Sequence, residues 1–131
     1  MFSIIMDDVT YHLRARYETI SRSFRIKDGE NAGDMLSGLY RRDMVGTYYD
    51  YEIQVEPDPQ YPLDYDNFYQ AISAPVNSHR ITLPYGQSTI TFDAMVTGGS
   101  DRYKGEVAKR KRWDGLQVQF TAIAPYREPE T

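Results

Sequence analysis

Residues 64–96, DYDNFYQAISAPVNSHRITLPYGQSTITFDAMV, decide the fold class. Tyr65, Phe68, Tyr69 and Ile72 recur at helical spacing, so a short helix over residues 64–73 carries one apolar face. Asp64 is a good N-cap for it, and Pro75 ends it, because the residue before a proline is pushed out of the helical region. Residues 80–83 then read as a strand, Pro84-Tyr85-Gly86-Gln87 as a turn and residues 88–97 as a second strand. In the second strand Ile90, Phe92, Ala94 and Val96 alternate with Thr89, Thr91, Asp93, Met95 and Thr97, the period of a sheet with one buried and one wet face.

Upstream, residues 46–55 are the clearest strand, with Tyr49, Tyr51, Ile53 and Val55 on one face and Tyr48, Asp50, Glu52 and Gln54 on the other. The aromatic face is expected to pack beneath the helix. Three prolines in EPDPQYP, residues 56–62, make an extended linker between the two. Residues 9–14 alternate as a strand, and 21–26 repeat the pattern more weakly, with Phe24 and Ile26 flanking Arg25; the segment between continues one long bent strand or breaks it. Residues 27–45 hold three glycines, scattered charge and no sustained period, and read as a long projecting contact loop. Downstream, residues 98–101 read as a turn, 102–113 as a basic segment, and 116–123 as a last amphipathic strand before a polar, proline-containing tail.

Six or so strands and one helix define an α+β, mostly β chain: two packed antiparallel sheets, as a sandwich or a partly closed barrel, in a single domain over residues 1–131 with the loop at 27–45. The chain has twelve tyrosines and no cysteine, so disulfides, thiolate nucleophiles and cysteine zinc sites are excluded. MFSIIMDD is a poor signal peptide, and no apolar run approaches the length that spans a bilayer. Net charge is −4, unevenly spread: residues 43–101 hold nine acidic residues and one basic, whereas residues 102–131 hold seven basic and four acidic. Such segregation suits head-to-tail association between copies.

Catalytic chemistry finds little footing. His12 and His79 are far apart in sequence, and a metal site needs carboxylates such as Asp64 or Asp66 folded against one of them. Glu56, Asp58, Asp64 and Asp66 cluster around the linker without the spacing of a calcium loop, and the two helix-start aspartates have a simpler role at the helix N-terminus. No nucleophile elbow, P-loop or dinucleotide fingerprint is present, so the reading has no catalytic, metal or cofactor residues. Lys109-Arg110-Lys111-Arg112-Trp113 is the one nucleic-acid-like feature, and against the acidic remainder of the chain it reads better as a patch for the acidic face of a neighbour than as a site for nucleic acid. With Arg41 and Arg42 of the loop, these residues form the expected subunit interface. Trp113, just before an amphipathic strand, reads as a core or interface anchor.

The segments GTYYDYEIQVE, DYDNFYQAISAPVNSHRITLPYGQSTITFDAMV and RWDGLQVQFTAIAP resemble the small structural proteins of phage and prophage tails, which share a tail-tube-like fold of two packed β-sheets and one helix. The resemblance covers the chain from Gly46 onward and rests on strand alternation, the helix-ending proline, the proline-tyrosine-glycine turn and the tryptophan before the last strand. It implies a non-enzymatic subunit of a tail tube, tail tip or baseplate, in rings or on other tail proteins, assembled in the host cytoplasm and resident in the virion tail. DNA would pass a lumen without specific binding. The chain lacks the second domain of the distal tail protein, which leaves a tail-completion or head-to-tail joining role open. A small carbohydrate- or nucleic-acid-binding module using exposed tyrosines or the 109–113 Lys/Arg/Trp patch is the alternative class, and a hydrolase with unidentified carboxylates is a third.

Overall fold

In a computed structural model of the chain, residues 2–16, 18–29, 33–34, 38 and 40–129 are described, those at 2, 34, 40 and 41 by their backbone alone. The strands in chain order are β1 (Phe2–Met6), β2 (Val9–Arg14), β3 (Ile20–Asp28), β4 (Gly33–Asp34), β5 (Tyr40–Arg41), β6 (Met44–Pro57), β7 (His79–Tyr85), β8 (Ser88–Met95), β9 (Gly99–Val107) and β10 (Arg110–Ala122), with the helix α1 (Asp64–Ile72) between β6 and β7. Eight of the strands form one sheet in the order β3-β6-β2-β1-β7-β8-β10-β9, every neighbouring pair antiparallel.

An additional pairing of Leu116–Phe120 in β10 with Tyr51–Val55 in β6 folds this sheet back on itself. Of the two expected arrangements, the partly closed barrel is therefore the one adopted, built from a single sheet rather than two. The ring is thin where β2 meets β6 (Leu13↔Pro57, Arg14↔Glu56) and where β1 meets β7 (Ile5↔Thr82, Met6↔Ile81). Alternate residues of every ring strand fill the interior, among them Ile4, Leu13, Ile53, Ile81, Ile90, Leu116 and Phe120, all almost fully buried. That is the alternation read from residues 88–97 and 116–123, now facing one core.

The helix buries Tyr65, Phe68 and Ile72 but leaves Tyr69 exposed, a narrower stripe than its spacing allowed. Phe68 meets Tyr11 of β2 edge-on at 5.3 Å, and the Tyr65 hydroxyl donates to Asp101 Oδ2 at 3.0 Å, so α1 links β2 to the base of β9. Tyr49 and Tyr51 do not lie beneath it as expected. They face the β7–β8 hairpin, Tyr49 against Tyr85 at 5.4 Å and Tyr51 against Phe92 at 5.9 Å, because β6 crosses the barrel from the helix toward that hairpin. The N-cap is Leu63, with no side-chain cap; the Asp64 carboxylate turns instead to β2 and accepts the His12 backbone N–H at 2.8 Å. Pro75 follows the helix end as read, with Ser73 at the C-cap.

Three further segments differ from their reading. Glu56 and Pro57 belong to β6, and Asp58–Tyr61 is a tight turn, since Asp58 accepts the Gln60 N–H on its carboxylate and the Tyr61 N–H on its carbonyl. Residues 99–101 are strand, not turn, because β9 pairs with a β10 that begins six residues earlier than the alternation at 116 indicated. Tyr48 and Asp50, expected on a wet face, are buried. Arg25 of β3 covers them: its guanidinium sits 4.8 Å from the Tyr48 ring centre, and its Nε donates to Asp50 Oδ2 at 2.8 Å. Asp50 Oδ1 also accepts the Ala122 N–H at 3.1 Å, which ties β3, β6 and β10 together at one carboxylate. Replacing Asp50 with Ala leaves the Ala122 N–H without its acceptor and removes the Nε partner of Arg25, whose Nη2 keeps only the Ala122 carbonyl; this is expected to cost on the order of 1–3 kcal/mol in urea unfolding, and an unchanged midpoint would contradict it.

Candidate interaction surfaces

The pairing register of β6 with β10 sets the geometry of everything exposed. These strands overlap only over Tyr51–Val55 and Leu116–Phe120. The early part of β10 therefore runs on beyond the end of β6, and the early part of β6 runs on beyond the end of β10. Each extension carries an outer strand, β9 on β10 and β3 on β6. The result is two hairpin arms leaving the barrel from opposite ends.

The β9–β10 arm holds five of the expected interface residues. Its tip is a two-residue turn, Ala108-Lys109, with both residues at positive φ (53° and 65°), the form that matches the twist of a hairpin. Lys109, Arg110, Lys111 and Arg112 all lie exposed along this tip. Lys111 is opposite Glu106, and Lys104 Nζ lies 3.7 Å from Asp114 Oδ1, so part of the basic charge is balanced within the arm. Trp113 is not a core residue: it is 41% exposed and packs against Tyr103 on the facing strand at 5.0 Å. The start of β10 carries no alternation in sequence because Arg, Lys and Trp occupy a strand that is wet on both faces.

Arg42, in the other arm, is exposed, and its Nε donates to Asp28 Oδ1 at 3.1 Å. The Arg41 side chain lies outside the described residues, as do residues 30–32, 35–37 and 39 of the expected loop. What is described of 27–45 is more ordered in backbone than a loop: β3 and β6 extend into it as far as Asp28 and Met44, and β4 pairs with β5. Because the arms diverge, the structure does not bring the 41–42 and 109–113 residues together.

A surface that sequence reading missed lies on the β3–β6 arm. Phe24 and Ile26, read there as a weak strand face, are exposed because β3 runs past the barrel. With Arg22, Thr47, Tyr49, Tyr85 and Arg127 they line a groove of about 480 Å³. The C-terminal tail reaches it through Thr47, whose N–H donates to the Arg127 carbonyl at 2.9 Å. Gly46, at φ +151°, makes the crossing possible, since a Cβ there would sit 2.5 Å from the Arg127 carbonyl oxygen. Tyr85 donates to the Tyr49 hydroxyl at 3.3 Å, and that bond together with the charges of Arg127 and Arg22 holds the Tyr49 phenol below its ordinary range despite burial. The only sequence signal was the Arg22-x-Phe24-x-Ile26 alternation, which fits a buried strand equally well.

Both histidines are hydrogen-bonded fixtures. Asp64 does fold against His12, with Oδ2 3.1 Å from Nδ1, while Tyr61 stacks on the imidazole at 3.9 Å. His79 is buried with Nδ1 2.6 Å from Asp7 Oδ2. Glu56 pairs with Arg16, and Asp58 serves its turn, so the acidic cluster around the linker is dispersed. Among the described residues no three His, Asp or Glu side chains converge as a metal site, and no helix is long and apolar enough to cross a membrane. The chain matches no family model, and no curated protein matches it significantly.

Asp7 gives the barrel a pH dependence. Burial pushes its carboxyl up, but the His79 hydrogen bond, the Arg80 N–H at 2.9 Å and the imidazole charge together hold it below its usual 3.8. A carboxyl depressed by folding stabilises above its unfolded pKa and loses that contribution as pH falls through the folded value. Wild type is therefore expected to lose, below about pH 3.8, its thermal-stability advantage over Asp7→Asn; a gap that stays constant down to pH 2 would contradict the assignment.

Proposed function

We propose that this protein is a structural subunit of a phage-like tail, in the tube, tip or baseplate, which associates with copies of itself in a ring or with neighbouring tail proteins. The observation that supports this reading is the pair of arms leaving opposite ends of a barrel. Each ends in an outer strand, β3 or β9, that is hydrogen-bonded on one side only among the described residues. Unpaired edges of nine residues are surfaces that a protein either blunts or uses, and these carry exposed Phe24, Ile26, Tyr103 and Val107 alongside their charges. Arms at opposite ends favour heterologous contacts, which close into rings when the rotation between subunits allows. A head-to-tail joining role would use the same surfaces. In either place the protein would be assembled in the host cytoplasm and carried in the virion, with DNA passing a lumen unread.

The groove beside Tyr49 and Tyr85 favours a second reading, a small ligand-binding module, because its size falls in the range of small-molecule sites. The two readings part on oligomeric state. Light scattering across concentration and salt, with negative-stain microscopy of large species, is expected to reveal rings or short tubes. Reversing Arg110, Lys111 and Arg112 to Glu is expected to weaken that assembly without altering the thermal unfolding of the subunit. A triple variant that assembles like wild type, or that unfolds, would count against a contact role for the β9–β10 arm.

A further inference from the structure

The two most exposed large apolar side chains among the described residues are Leu63, 70% accessible, and Phe24, 67% accessible. They sit in opposite electrostatic surroundings. Leu63 directly precedes Asp64 and the exposed Asp66 in the first helical turn, and Asp66 has no ion-pair partner among the described residues. Phe24 lies in a groove that Arg22 and Arg127 also line, and among the described residues no carboxylate lines it. The Arg22 guanidinium rests 5.1 Å from the Tyr85 ring centre rather than on an acid.

The two features also lie at opposite ends of β6. The groove is built around Thr47 and Tyr49 near the start of that strand. Leu63 is held near its far end, because Tyr61 stacks on His12 and Asp64 accepts the His12 amide, and His12 is adjacent to the Leu13↔Pro57 pair. From Thr47 to Pro57 the strand covers roughly 33 Å at about 3.3 Å per residue. A chain thus cannot reach its own groove with its own Leu63, whereas a second copy can, leaving one groove and one Leu63 free for the next.

We propose that Leu63 and Asp66 of one copy dock in the Arg22–Phe24–Arg127 groove of another, head to tail. Leu63 enters against Phe24 and the tyrosine wall, and the Asp66 carboxylate faces Arg22. Removing both apolar side chains from water drives the contact, and the charge pairing fixes its direction. The proposal rests on the assembly reading above and names one of its contacts.

Two variants test it, Leu63→Asp and Phe24→Asp. Both side chains are largely exposed, so circular dichroism melts are expected to match wild type; Leu63→Ser and Arg22→Glu probe the same two halves if either Asp variant misfolds. By sedimentation equilibrium each variant alone is expected to self-associate about tenfold more weakly or worse. Mixed in equal amounts they are expected to pair 1:1 through this contact with about wild-type strength, since one supplies an intact groove and the other an intact Leu63. Variants that associate like wild type, or a mixture that stays monomeric, would overturn this contact while leaving assembly by other surfaces standing. A wild-type protein monomeric at every concentration would overturn both.

Discussion

The structure depends on one strand having two kinds of neighbour. Over its later half β6 is a barrel strand, flanked by β10 on one side and by β2 with the start of β3 on the other, and its inward residues Ile53 and Val55 are completely buried. Over its earlier half the same strand leaves the barrel with β3 alongside, and the tail touches its other edge at Thr47. Fourteen residues are far more than the five or six of an ordinary strand, and the surplus becomes the arm. Strand β10, thirteen residues long, does the same in the opposite direction.

An arm outside a barrel has no hydrophobic interior, so it must be held by other means. On the β3–β6 arm, one face uses Arg25 as a roof over Tyr48 with an ion pair to Asp50, and the other stacks Tyr49 against Tyr85 and Tyr126. Twelve tyrosines are consistent with that role, since the phenol ring covers apolar surface while its hydroxyl stays hydrogen-bonded. Among the described residues no buried side-chain polar atom lacks a partner. Phe24 and Leu63 stay largely exposed, whereas Tyr103 and Trp113 cover each other only in part.

The barrel strands were legible because burial on one face imposes a period of two: residues 9–14, 46–55, 80–83 and 88–97 all lie within or overlap strands of the structure. The helix was legible for the equivalent reason, and its proline stop lies just beyond Ser73. What sequence could not convey was closure, since the register that joins β6 to β10 pairs residues more than sixty apart. The arms were obscured for a different reason. A strand wet on both faces has no alternation to detect, so β9 and the first residues of β10 read as a turn and a basic run. Asp64 illustrates how tertiary contact overrides a local rule: it is a favourable capping residue, yet the His12 amide takes its carboxylate.

In the proposed assembly the barrel is a fixed frame and the outer strands of its two arms are association surfaces. Hydrogen exchange on dilute and on associated protein tests this most directly. Amides of β3 and β9 are expected to exchange quickly in dilute solution and become protected on association, while those of the barrel strands stay equally slow in both. Association that leaves β3 and β9 as exposed as before, or that alters protection chiefly within the barrel, would contradict it.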